Sequence, residues 1–180
     1  INELVFSISP QSFFQPNSLQ VGTLYDVVKS CFDLSPDDTL LDLYCGTGTI
    51  GLYVCQKQGQ LIGIEEVPQA IENAKENAAL NHITNATFIV GRVKNILKFQ
   101  RFSPDCIVID PPRSGMVPKA LQRVIDIGCK KMVYVSCNPV TLLRDLTVFL
   151  DQGYRIETFV PVDMFPHSHH LECVVKLTLH

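Results

Sequence analysis

The sequence predicts an α/β fold: a mostly parallel seven-stranded sheet with an antiparallel C-terminal edge. Three observations carry that expectation. Apolar strand-like runs alternate with helical stretches between positions 39 and 150, the pattern of βαβ units. Central runs such as Asp105–Ile109 are near-continuously apolar, as burial on both faces requires. After Leu150, two strand-like segments follow with no helix between them, which implies an antiparallel pair at one edge.

The chain starts at Ile1 rather than Met, directly on strand-like residues Glu3–Ile8. It reads as a fragment of a longer protein or a processed product. A first helix is expected over Ser18–Cys31, then strand Thr39–Tyr44 and a helix from Gly48 to Lys57. Gly59 stops that helix before strand Gln60–Glu65. Pro68 suits the first turn of helix Pro68–Leu80, and strand Ala86–Val90 follows. Strand Asp105–Ile109 leads to helix Pro118–Gly128, with Pro118 at its start and Gly128 at its stop. Strand Met132–Ser136, helix Val140–Leu150 and the stop at Gly153 precede the final strands, Arg155–Val162 and Leu171–Leu179.

Composition sets outer bounds. The 180 residues carry 18 acidic and 15 basic side chains, a formal charge of −3, with 46% hydrophobic and 18% charged residues. A disordered chain needs lower hydrophobicity and higher net charge. A domain that grips nucleic acid by bulk positive charge is also excluded. A single domain over residues 1–180 is expected, burying about 70% of its unfolded surface. The seven cysteines are odd in number and form no C-x-x-C pair. That argues against a disulfide framework, a zinc site or an iron–sulfur cluster, and for a reducing, cytoplasmic setting. No signal peptide or bilayer-length apolar run is visible.

Four segments carry candidate chemistry. Leu40–Gly51 reads as a strand entering a glycine turn and a helix, and Gly46, Gly48 and Gly51 match G-x-G-x-x-G. Glu65 ends the next strand, where an acid can accept two ribose hydroxyls. This alone fits a nicotinamide dinucleotide or an adenosyl cofactor. Asp42, just before the glycines, would repel a pyrophosphate and welcome a cationic amino acid; with the antiparallel edge, it favours the adenosyl reading. The bland alternative is a turn used only for packing.

Ile107–Arg113 ends an apolar strand in Asp-Pro-Pro-Arg, so Asp110 projects from the carboxyl edge of the sheet, where open α/β sheets bind ligands. Arg113 stands where an aromatic would suggest amino-group methylation. Ser136-Cys137-Asn138-Pro139 puts a thiol between a strand end and a helix N-terminus, a position that lowers a thiol pKa. The remaining helix and strand cysteines 31, 55, 106 and 129 read as small buried hydrophobes. In His167-Ser-His-His-Leu-Glu172 the histidines lack the partners of a zinc site. Glu172 opens an apolar strand, opposite in face to Leu171, Cys173 and Val175. It is either a solvated edge residue or a partly buried general base.

The ordered set F-F-Q-P-N (13–17), D-L-Y-C-G-T-G (42–48), D-P-P-R (110–113), S-C-N-P (136–139) and H-x-E-C (170–173) resembles the S-adenosylmethionine-dependent RNA (uracil-5-)-methyltransferases of tRNA and ribosomal RNA. The resemblance covers essentially the whole chain. It implies a Rossmann-like class I methyltransferase fold. It implies cofactor contacts at Gln15, Tyr44, Gly46, Thr49, Glu65 and Asp110, with Asp110 at the boundary between cofactor and target base. Cys137 would be the nucleophile that adds to carbon 6 of uracil, and Glu172 the base that removes the carbon 5 proton. Thr49 stands where many members have Asn, and Arg92 where an acid or amide commonly meets adenine. The family's N-terminal RNA-binding part is absent from these residues, as is any iron–sulfur or other metal site. The implied partner is an RNA, tRNA or rRNA, held mainly by segments outside this fragment; the implied state is a monomer free of membrane. Three alternatives stay open: a methyltransferase with another target, a nicotinamide-dependent oxidoreductase, and a non-catalytic binding module.

Overall fold

The computed structural model describes residues 1–7, 17, 20–56, 58–164 and 171–179. Its helices are α1 (Val21–Ser30), α2 (Thr49–Cys55), α3 (Pro68–Leu80), α4 (Val93–Phe99), α5 (Pro118–Ile127) and α6 (Pro139–Asp151). Its strands are β1 (Thr39–Leu43), β2 (Gln60–Glu65), β3 (Ala86–Val90), β4 (Cys106–Ile109), β5 (Lys131–Ser136), β6 (Tyr154–Val162) and β7 (Glu172–Leu179). One sheet takes the order β3-β2-β1-β4-β5-β7-β6. The first five of these run parallel, and β7 pairs antiparallel with both β5 and β6. The chain therefore has the expected fold: a mostly parallel class I methyltransferase-like sheet with an antiparallel edge.

Alternate residues of a central strand feed opposite cores, because successive side chains leave a sheet on opposite faces. Cys106 and Val108 of β4 join Leu24 and Val28 of α1 and Leu52 of α2. Ile107 and Ile109 join Val124 of α5 and Phe149 of α6. All four β4 residues are fully buried, which explains why the run reads as continuously apolar. Proline at the first turn begins α3, α5 and α6, and Gly128 in the left-handed region ends α5.

Two segments differ from the sequence expectation. Residues 3–7 form no strand; Ile8 lies outside the described residues. Their backbone groups are taken up instead by side chains of α3 and of Asn81, which follows it. The Val5 N–H donates to Asn81 Oδ1 at 2.8 Å, Asn81 Nδ2 donates to the Val5 carbonyl at 2.7 Å, and the Ser7 N–H donates to Asn77 Oδ1 at 2.6 Å. Helix α4 was not expected. Its Val93, Ile96 and Leu97 follow helical spacing and pack on the second core, but seven residues are too few for the period to stand out.

Candidate active site

In a doubly wound sheet, ligands bind beyond the carboxyl ends of the strands, where neighbouring crossovers part. Here that point lies between β1, whose chain continues to β2, and β4 on its other side. A cavity of about 890 Å³ opens there, within the size range of small-molecule sites. Its wall includes Tyr44, Gly46, Thr49, Glu65, Asp110, Cys137 and Glu172. All the expected site residues that are described thus meet in one cavity. Gln15 lies outside the described residues, as do His167, His169 and His170.

Topology explains how Glu172 reaches this edge. Strand β7 runs antiparallel to β5, with Ser136 opposite Cys173. The start of β7 therefore lies beside the end of β5, and Glu172 arrives next to Cys137. A parallel last strand would have carried its first residue to the far edge.

One end of the cavity is the glycine turn. Asp42 is 1% exposed, and the Gly51 N–H donates to its Oδ2 at 3.0 Å. Its other oxygen, Oδ1, is buried without a hydrogen-bond partner. Burial pushes this carboxyl up to about 7; the Glu65 carboxylate adds to the effect and the Gly51 N–H opposes it. Gly51 permits the close approach: a Cβ there would stand 2.6 Å from Leu61 and 2.7 Å from Asp42 Oδ2. Glu65 is oriented by two amides, accepting from Gly46 N–H at 3.3 Å and Val67 N–H at 2.9 Å. Tyr44 leaves β1 in the left-handed region, with φ of 63°, and faces the cavity half-buried. Burial and surrounding carboxylates raise its hydroxyl to about 12. The Thr49 hydroxyl shares a 2.8 Å hydrogen bond with that of Tyr25.

The other end holds the thiol and its acids. Glu172 is 3% exposed, and its Oε2 is buried without a partner. Burial raises its carboxyl to about 7. Asp110 is raised well above the usual carboxylate range by burial, then by the charges of Glu172 and Asp42. Cys137 is half-buried. The expectation of a lowered thiol pKa is reversed: burial raises it, and Glu172 and Asp110 add to the rise. Arg113 and a backbone hydrogen bond pull the other way without offsetting these. The helix N-terminus is real, with Asn138 accepting from Val140 N–H at 3.1 Å, but burial and the two acids leave the thiol pKa raised. The other six cysteines are buried, including 31, 55, 106 and 129, as expected.

Sequence reasoning missed Tyr25 and Glu66, both in the cavity wall. Tyr25 sits on α1, far from any motif, and nothing in the local sequence marks it. Arg92 also lines the cavity, paired with Glu66 at 2.9 Å. Among the described residues, no group of three or more His, Cys, Asp or Glu is placed to hold a metal. No helix among them is long and apolar enough to cross a membrane.

Comparison with known proteins agrees with this geometry. The family model for tRNA (Uracil-5-)-methyltransferase matches residues 2–180. An "Uncharacterized RNA methyltransferase" of Oceanobacillus iheyensis is 46% identical over 182 residues, covering 99% of this chain and 40% of the relative. The chain thus spans well under half the length of that relative. The crystal structure of Pyrococcus abyssi tRNA (uracil-54, C5)-methyltransferase in complex with S-adenosyl-L-homocysteine superposes with a TM-score of 0.84 at 36% identity, over 96% of this chain and 42% of that one. A precorrin-6y C5,15-methyltransferase of Geobacter metallireducens, 18% identical with a TM-score of 0.77 over 97% of this chain and 94% of its own, shares the fold alone. With its family model matched from residue 2 to residue 180, this chain belongs to the tRNA (uracil-5-)-methyltransferase family.

Proposed function

We propose that this chain is the catalytic domain of an RNA methyltransferase that methylates carbon 5 of a uridine, with S-adenosylmethionine as methyl donor. The observation that carries the reading is that Cys137 and Glu172, whose buried Oε2 has no hydrogen-bond partner, line the same cavity as Asp42 and Glu65. The partnerless Asp42 Oδ1 suits a cationic donor, and a pyrophosphate there would meet two carboxylates. Asp42, Tyr44, Glu65 and the Gly46 turn would hold the cofactor, with Gln15, Thr49 and Asp110 as further contacts. The Pyrococcus abyssi relative, bound to S-adenosyl-L-homocysteine, supports this choice.

Carbon 5 of uracil is a weak nucleophile. The Cys137 thiol gives up its proton to solvent and adds as the thiolate to carbon 6, and the electron pair of the 5,6 double bond moves toward carbon 5 and the carbon 4 oxygen. When bound, S-adenosylmethionine supplies the electrophilic methyl group that carbon 5 takes up. Glu172 then removes the remaining carbon 5 proton. The electrons of that C–H bond restore the double bond, and the carbon 6–sulfur bond breaks to return the thiolate. A near-neutral Glu172 pKa matches a base working at neutral pH. Both steps require the base and thiol on the same edge, held in near-attack geometry. The uridine has to leave its stack to reach the cavity.

The charge of −3 leaves this domain little electrostatic hold on phosphates. RNA, a tRNA or rRNA, is therefore held mainly by N-terminal segments outside residues 1–180, and the protein works as a cytoplasmic monomer. RNA containing 5-fluorouracil should form a denaturation-resistant adduct with the protein, because fluorine cannot leave as a proton does. Nucleoside mass spectrometry of unmodified RNA should find 5-methyluridine. An adduct that still forms with Cys137→Ala would refute the assignment.

A further inference from the structure

Helix α6 follows Cys137, and one of its faces carries more polar contact than a packing role needs. Asn138, Thr141, Arg144 and Asp145 recur at three- and four-residue spacing, hence on one side. That side is bonded to the loop Pro111–Met116, which follows Asp110. Asn138 Nδ2 donates to the Arg113 carbonyl at 3.0 Å, and the Thr141 hydroxyl donates to the same carbonyl at 3.2 Å. Arg144 Nη2 donates to the Ser114 and Met116 carbonyls, each at 3.1 Å. Asp145 is 1% exposed and accepts from Met116 N–H at 2.8 Å and from the Tyr134 hydroxyl at 2.7 Å. Arg144 closes the set, donating to Asp145 Oδ1 from Nε at 2.8 Å and from Nη2 at 2.7 Å.

The loop is shaped to accept this grip. Gly115 sits at φ of +73°, and a Cβ there would lie 2.5 Å from Arg144 Nη2 and 2.8 Å from Asp145 Oδ2. A side chain would wedge loop and helix apart. Arg113, held through its carbonyl, is the side chain whose charge pulls the Cys137 thiol pKa down against Glu172 and Asp110.

We infer that Arg144 and Asp145 are positioning residues that lock the Asp110–Met116 segment to the helix behind Cys137, so that Asp110, Arg113 and the thiol keep one mutual arrangement. The inference rests on the reading of Cys137 as nucleophile, and it assigns neither residue a contact with substrate. A misplacement of about 1 Å between reacting groups lowers a rate on the order of a hundredfold.

The test uses Arg144→Ala, Arg144→Lys and Asp145→Asn, with three readouts. The first is the pH profile of Cys137 alkylation by iodoacetamide, read by mass spectrometry of the Cys137 peptide. The second is the rate of adduct formation with 5-fluorouracil RNA. The third is affinity for S-adenosylmethionine, whose proposed contacts lie mainly on the β1–β2 side. Arg144→Ala should shift the alkylation profile to higher pH, as Arg113 leaves the thiol facing Glu172 and Asp110. It should slow adduct formation on the order of a hundredfold, lower cofactor affinity far less because Asp110 is its one proposed contact on the clamped segment, and be partly rescued by Arg144→Lys. A protein that merely lost stability would lose cofactor affinity along with adduct formation and would expose Cys137 to alkylation. Arg144 has a half-exposed side chain, so its variants decide the matter if Asp145→Asn fails to fold. An unchanged alkylation profile in folded Arg144→Ala overturns the inference. If the wild-type protein forms no adduct, the uridine reading fails, and the alkylation profile still decides the clamp.

Discussion

Asp42→Asn separates what the buried carboxylate does for the fold from what it does for a ligand. Asn keeps the side-chain shape and an acceptor for the Gly51 N–H, and removes the ionisation. Burial holds the Asp42 carboxyl at about 7 against an ordinary value of 3.8, a difference equivalent to about 4 kcal/mol. The native pKa is the higher one, so between these values the native state binds more protons than the unfolded state. Wild-type stability therefore falls as pH rises through that interval. About 3 kcal/mol of the loss develops between pH 5 and pH 8. The variant lacks this slope. Its amide group inherits the partnerless position of Oδ1, a pH-independent penalty of about 1–3 kcal/mol. The stability difference, variant minus wild type, should thus rise by about 3 kcal/mol from pH 5 to pH 8. The raised carboxyl of Glu172 acts in both proteins and cancels from the difference. Urea denaturation is the assay, followed by circular dichroism because the chain has no Trp. A difference that stays flat across that range would refute the reasoning. The same variant should bind S-adenosylmethionine more weakly above about pH 7, where the wild-type carboxyl is ionised, and the difference should shrink as pH falls, so the gain in stability is made at the expense of the site.

Three further expectations concern separate parts of the molecule. Glu172→Gln should accumulate a covalent adduct with ordinary uridine RNA on denaturing gels, since the proposed base for release is gone; turnover without accumulation would contradict the proposed role. Gly51→Ala should lower stability by about 1–3 kcal/mol in thermal melts, because the added methyl meets Leu61 and Asp42 at under 3 Å. Asn81→Ala should accelerate amide exchange at Val5 and its neighbours and cost about 1–2 kcal/mol, through loss of its two hydrogen bonds to the Val5 backbone.

Much of this architecture was legible because its signals are local. The glycine turn after β1, the prolines that open α3, α5 and α6, and the apolar run of β4 each announce themselves within a few residues. Glu172 was legible as an acid on an apolar strand. Its deep burial was not, since that depends on β6 pairing it with Val162. The Cys137 thiol shows the limit most clearly. A helix N-terminus can be read from Asn138-Pro139, but the opposing acids come from β4 and β7, and only the folded sheet reveals their sum. Residues 3–7 misled for a similar reason. Their apolar run Leu4–Phe6 suits a strand, yet Asn77 of α3 and Asn81 at its end satisfy the backbone that a neighbouring strand would have paired.

The place of β7 between β5 and β6 ties completion of the proposed site to the order of synthesis. Strand β6 emerges from the ribosome with no neighbour to pair with, because β7 is its one partner in the sheet among the described residues. The outer edge of β5 waits for the same strand. A nascent chain can therefore assemble the glycine turn, Glu65, Asp110 and even Cys137 while the sheet still lacks its last insertion. Glu172 arrives as the first residue of that insertion. The strand that completes the sheet is thus the one that brings Glu172, the proposed proton acceptor, to the thiol, so an unfinished chain cannot complete the proposed pair.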